Sequence, residues 1–286
     1  MSQRNRFLGN RRYYADDYAG LILGATADRP HMTLAEATAP DATPMDRVTL
    51  IRHDIDGDLE NALAIARWEA RHGVRSTFCV LHTAWYYGPR KDGRLVGRYR
   101  DMFDALHEIQ DLGHEVALHN NVIAEALRTR TDPYDVLARE LHALRSTGLN
   151  ITGSAAHGGK LARRIGFRNL DLFTETSRHP QTIRFKGHTV RVGTRSMHDF
   201  GLAYEGYDIP RDAYITDTGG QVRMVPDRAG RGRHRHETPD LRYGHVTAIL
   251  AHPSRWNLDE QAPPGQRRVS YEALMSAPTH PDSDPK

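Results

Sequence analysis

The 286-residue chain contains one cysteine, Cys79, which excludes an internal disulfide and any zinc site built from cysteines. Cys79 lies inside an apolar run and reads as a buried residue. No stretch approaches the about 18 consecutive apolar residues of a membrane span. The first residues, MSQRNRFLGNRRYY, are charged and polar, without the apolar region of an export signal. The chain is therefore expected to be cytoplasmic, with no membrane partner. Lysine is scarce, while arginine is plentiful. The net charge of +3 and pI near 9.0 are only mildly basic. The only dense basic cluster, Arg228–Glu237 (RAGRGRHRHE), has no interleaved aromatics, so nucleic acid is not an expected partner. That tract reads as a solvated loop, with contact to an anionic substrate as the alternative. No repeat of solenoid period is visible.

Val48–Asp58, VTLIRHDIDGD, organises the remainder. Four residues suited to a buried strand, Val48–Ile51, run into Arg52, His53, Asp54, Asp56 and Asp58. This pattern is expected of a central strand that delivers carboxylates to the end of a sheet. Asp54 and Asp56 are two apart, so in extended chain both face one side, where they could share a cation or divide into base and ligand. Asp58 then caps a helix with apolar residues at Leu59, Ala62, Leu63, Ile65 and Ala66, ending at Gly73. Thr77–Leu81 reads as a second strand, roughly Tyr99–Leu112 as a second helix, and HEVALHNN as a third strand ending in His119. A third helix follows Asp132 and Pro133 to Gly148. ITGSAAHGG reads as a fourth strand, ending in His157. Three strand–helix units in succession argue for a parallel sheet or barrel. Further strands are expected at Thr189–Val192, Tyr214–Thr216 and His245–Ala251. Residues 1–46 read as an N-terminal extension with a short helix near Tyr14–Leu23, 47–260 as the barrel, and 261–286 as a disordered tail.

Polar residues recur where the predicted strands run out: Asp54 and Asp56, His119, His157, Asp217 in YITDTGG, and His252 in VTAILAHP. In a parallel α/β barrel these ends share one rim, where loops build the active site. Two acids and three histidines on one rim are the ligand chemistry of a divalent metal such as zinc, with groups left over to move protons. His114 precedes its strand and His53 points opposite to Asp54, so both read as structural. The aromatic loop TAWYYG offers Trp85 and Tyr86 for stacking on a sugar ring, or for packing between helices.

These motifs resemble the polysaccharide deacetylase (NodB-homology) family of metal-dependent carbohydrate N-deacetylases, from about Val48 to Trp256. The resemblance implies a distorted (β/α) barrel. It assigns Asp54 as general base and Asp56 as metal ligand, by the family's D-x-D form. In GHEVALH it makes His119 the first metal histidine, in ILAHP it makes His252 the general acid, and in TDTGG it makes Asp217 a supporting acid. One position departs: where the family has its second metal histidine, four residues after the first, this chain has Ile123. By topology, His157 is the candidate replacement. SAAHGG also lacks the family's arginine, so the residue that would steady the base is unassigned. The implied activity is removal of an acyl group, expected to be acetyl, from the amine of a cytoplasmic sugar or small N-acyl metabolite. The alternative is a non-catalytic sugar- or partner-binding barrel that lost its metal at Ile123. An amidohydrolase is disfavoured, because those commonly open with two histidines where this chain has two aspartates.

Overall fold

The opening strand is longer than the apolar run that announces it. In the computed structural model, which describes residues 13–226, 243–266 and 268–276, it spans Met45–Ile55. Charge does not end it at Arg52, because that guanidinium pairs with Asp54 inside the sheet's curve. Both edges are occupied as well, by Tyr243–Ala251 on one side and by Thr77–Leu81, from Arg52 onward, on the other.

The main sheet runs Tyr204–Glu205, Gly153–Ala156, Glu115–Asn120, Thr77–Leu81, Met45–Ile55, Tyr243–Ala251, Ala213–Thr216 and Arg223–Pro226. Neighbours are parallel except the last pair, which is antiparallel. A ninth, two-residue strand, His31–Met32, pairs beside Thr49 and Leu50. Among the described residues the sheet curls into a half-barrel whose two edges do not meet. The expected α/β class is therefore seen, with an open sheet instead of a closed ring. Of the expected strands, Thr189–Val192 lies outside it, in a separate hairpin of Gln181–Phe185 with His188–Val192.

Alternation assigns each strand two faces. Outward residues Ile51, Ile55, Phe78, Val80, Val116 and Leu118 join the helices in the larger core. Leu59–Arg71 is capped by Asp58, which accepts from the Asn61 N–H, and buries Ala62, Ile65 and Ala66. Arg100–Asp111 buries Met102, Leu106 and Ile109. Pro133–Arg145, capped by Asp132, buries Val136, Leu137, Leu141 and Leu144. Each large apolar side chain so buried contributes about 1.5–3 kcal/mol. Inside the curve, Val48, Leu50, Tyr204, Ile209 and Val246 close the lower end. Above them Cys79, Ala117 and Ala155 are small, which leaves room for Arg52.

The chain's two ends are more integrated than expected. Within 13–46, helix Ala15–Thr26 buries Tyr18, Leu21 and Ile22 in the main core, and the Tyr18 hydroxyl donates to Glu69 at 2.8 Å. Past residue 260, Val269 N–H donates to Asp17 at 2.8 Å, and Tyr271–Ser276 is a short helix against Ala15–Thr26. The disordered end expected at 277–286 and the basic tract Arg228–Glu237 lie outside the described residues. Among the described residues no helix is long and apolar enough to cross a membrane.

Candidate active site

Because the strands are parallel, their carboxyl ends open on one rim, and all six strand-end residues named from the sequence gather there. After Ile55 the chain turns sharply, the Asp56 N–H reaching the Asp54 carbonyl at 3.0 Å. The turn brings Asp56 over the end of the Glu115–Asn120 strand. Asp56 Oδ1 lies 3.4 Å from His119 Nε2 and 3.4 Å from His157 Nδ1, and the two nitrogens are 3.2 Å apart. Three donors on a nearly equilateral triangle fit one ion, since tetrahedral ligation at about 2.0–2.1 Å separates donor atoms by about 3.4 Å. Asp56, His119 and His157 form the group that could hold a metal among the described residues.

His119 is oriented for this task. Its Nδ1–H donates to the Ala155 carbonyl at 2.8 Å, which leaves the Nε2 lone pair facing Asp56. His157 sits where the backbone leaves Gly153–Ala156, its N–H held by the Asn120 carbonyl at 2.8 Å. A Cβ on Gly159 would come within 3.3 Å of the His157 ring, so glycine there leaves the ring its place. Ile123 is fully buried in the main core and offers no ligand. His157 stands third in the triangle.

Compared with protein-family models, curated proteins and solved structures, the chain has no match. Geometry therefore carries the functional reading.

Asp54 flanks the triangle on its buried side, Oδ2 at 3.6 Å from His119 Nε2. Arg52, on the same strand face, holds it through Nε at 3.0 Å and Nη2 at 3.3 Å. Burial pushes the Asp54 carboxyl up, but Arg52 and then His119 and His252 pull it further down, and the net shift is downward. Arg52 is itself braced, its guanidinium lying 4.1 Å over the Tyr207 ring. No sequence motif marked this arginine. Its signal was parity: two residues before Asp54 in a strand means the same face.

His252 flanks the triangle on its other side, with Nε2 3.8 Å from Asp56 Oδ2. Its Nδ1–H donates to Asp217 Oδ1 at 2.5 Å. Asp217 is fixed by two further donors on Oδ2, the His252 N–H at 2.8 Å and the Trp256 indole N–H at 3.0 Å. Burial lowers the His252 pKa, but Asp217, Asp54 and Asp56 together raise it more, and the imidazole ends above its ordinary value.

The aromatic pair behaves differently from the stacking role. Tyr86 is 3 % exposed and belongs to the main core. Its hydroxyl donates to the Ile55 carbonyl at 2.6 Å and accepts the Leu81 N–H at 2.9 Å. Tyr86 thus braces the turn that places Asp56, and no open ring face is left for a sugar. Trp85 is half-buried, edge-on to Tyr86 with centroids 6.2 Å apart. His53 and His114 serve structure: His53 Nε2 meets Glu69 at 3.1 Å, and His114 Nδ1 accepts the Ser76 N–H at 3.2 Å.

One further residue escaped the sequence reading. Asn169 Nδ2 donates to the His157 carbonyl at 2.7 Å and to Asn121 Oδ1 at 3.1 Å, while its Oδ1 accepts the Ile123 N–H at 3.2 Å. It fastens the loop after His119 to the loop of His157. Nothing periodic marks such a residue.

Proposed function

We propose that this chain is a metal-dependent hydrolase that removes an acyl group, in the simplest case acetyl, from the amine of a sugar or small N-acyl metabolite. The observation that carries the reading is a three-donor triangle, Asp56, His119 and His157, with a carboxylate on one flank and an imidazole on the other. Held by the triangle, a divalent ion such as zinc would polarise the acyl oxygen and acidify water. Asp54 takes the proton from the attacking water. Its lowered pKa, set against burial by Arg52, keeps the carboxylate ionised and ready to accept. His252 holds the proton for the departing nitrogen. Its raised pKa and its bond to Asp217 favour a proton on Nε2. The amide C–N bond breaks, water oxygen joins the acyl carbon, and a carboxylate and a free amine leave. Each positioned proton transfer typically contributes about 10²–10⁴-fold.

The likeness of the motifs to polysaccharide deacetylases supports the same chemistry. A non-catalytic barrel is the second reading, motivated by Ile123. Against it stands His157, which restores a third donor on the next strand.

Elemental analysis of protein purified without a histidine tag, before and after zinc reconstitution, tests the centre. Near-stoichiometric zinc, lost in His119→Ala, is expected; absence of binding under every condition leaves the non-catalytic reading. Acetate release from a panel of N-acetylated sugars tests the chemistry. Asp54→Asn and His252→Ala are each expected to lower turnover by about 100-fold or more, and unchanged turnover in either folded variant removes that residue's role.

A further inference from the structure

A cleft of about 530 Å³ opens beside His157, with neither Asp56 nor His119 in its lining. Its size falls in the range of small-molecule sites. Its floor is apolar, with Ala162, Phe167 and Leu170, and its walls carry four arginines, Arg163, Arg168, Arg178 and Arg211. The charges on these walls are unevenly neutralised. Arg168 is tied in a fork to Asp171. Arg163 donates to the Gly158 carbonyl at 2.5 Å, and no acid pairs with it among the described residues. Arg178 is exposed and has no partner among the described residues. The lining contains a single acid, Asp208.

Because His157 borders both the cleft and the donor triangle, a molecule whose acylated amine meets Asp56 and His119 would extend its remainder between these arginines. A neutral sugar would leave the charges of Arg163 and Arg178 unanswered. A monocarboxylate would engage one guanidinium, whereas Arg163 and Arg178 together match the oxygens and multiple charge of a phosphoryl group. We propose that the cleft binds a phosphate or diphosphate ester carried by the substrate, so that the N-acyl compound is a phosphorylated sugar or a nucleotide-linked one. This assignment rests on the hydrolase reading for the acylated end of the substrate, but the anion site can be tested without it.

Titration calorimetry of pyrophosphate into the full chain, stripped of metal with a chelator, is the direct measurement. Saturable one-to-one binding is expected, weakened at least tenfold in Arg178→Ala and in Arg163→Ala and weakened by added salt. His119→Ala is expected to bind pyrophosphate as the unsubstituted chain does, so loss of the metal centre alone leaves the anion site readable. Absence of saturation, binding unchanged by both arginine substitutions, or equal affinity for acetate would overturn the proposal. With zinc restored, N-acetylglucosamine 1-phosphate is expected to show a KM at least tenfold below that of N-acetylglucosamine, a preference lost in Arg178→Ala. Pyrophosphate binding in a chain that takes up no zinc under any condition would retain the phosphate site and sink the hydrolase reading instead.

Discussion

Arg52 lies under Asp54 because side chains two apart on a strand share a face, and because Cys79, Ala117 and Ala155 are too small to fill the space beside it. The cavity is tight. A Cβ on Gly206 would sit 3.0 Å from an Arg52 nitrogen and 3.3 Å from the Ala155 methyl. Removing one partner of a buried ion pair costs about 3–5 kcal/mol, so Arg52→Gln is expected to melt at lower temperature. The same change frees Asp54 to protonate earlier. Its folded pKa lies below the unfolded one, so the pair stabilises the fold above the usual carboxylate range and loses that contribution as pH falls through the lowered value. In Arg52→Gln the acid limb of kcat/KM should therefore move to higher pH. Asp217→Asn acts on the other flank. The folded pKa of His252 is raised, so its contribution is complete below the unfolded value and fades as pH rises through the folded one. Without the Asp217 carboxylate the basic limb should move to lower pH. pH–rate profiles of the two variants check both shifts, and limbs that stay in place would mean these neighbours do not set the ionisation. Asp54, Asp56 and the three histidines were legible because each ends a recognisable apolar run. Arg52 was not, because an arginine after such a run looks like the run's end. Only pairing on both sides carries the strand past it.

At the scale of elements, period decides what can be read. Leu59–Arg71, Arg100–Asp111 and Pro133–Arg145 each bury one stripe and show caps or stops, and all three were expected. Val122–Thr129 was missed: it spans barely two turns, and the polar stripe of Glu125, Arg128 and Thr129 is itself largely buried, seven of the helix's eight residues lying inside. That helix is held at its start by groups distant in sequence. The Asn121 N–H donates to His82 Nε2 at 3.0 Å, which leaves the proton on His82 Nδ1 facing Glu125 at 3.3 Å. Burial pushes the Glu125 carboxyl up, but His82 and Arg90 bring it down to about 2. Asn169 ties the same turn to His157. Asn169→Ala leaves the Ile123 N–H and the His157 carbonyl without this partner, at about 1–3 kcal/mol for each unsatisfied buried group. Outer-shell substitutions of this kind typically cost about 10–100-fold in metal affinity. Competition for zinc with a chromophoric chelator, beside a thermal melt, separates the two effects. A lowered melting temperature with unchanged zinc affinity would make Asn169 a fold residue that does not position His157.

Across the whole molecule the apolar cores and the donor triangle are separate constructions. The helices and the outer sheet face bury their side chains without help from the rim, and the lower interior closes on Val48, Leu50, Tyr204 and Val246. Parallel order was readable from three strand–helix units. Openness was not, because the edge strands Tyr204–Glu205 and Arg223–Pro226 are short and nothing in their sequence states which neighbour they lack. Since the cores do not depend on the site, the metal-free chain is expected to remain folded, unlike small domains whose folding is driven by zinc. Zinc should then act by linkage, adding about 2.7 kcal/mol at a hundred times its Kd. For a chain of this size that corresponds to a rise of several degrees in melting temperature, at about 2–4 °C per kcal/mol. Protons compete for the same lone pairs. Burial lowers the His119 pKa, Asp54 and Asp56 together raise it more, and the net shift is upward, so protonation opposes the ion increasingly as pH falls. The zinc-induced rise should shrink as pH falls, return on neutralisation, and vanish at every pH in a His119→Ala, His157→Ala double variant whose own melting remains cooperative. Scanning calorimetry with zinc and with a chelator reads all three. An equal rise in the double variant would place the stabilising ion elsewhere in the chain and leave the triangle without a metal.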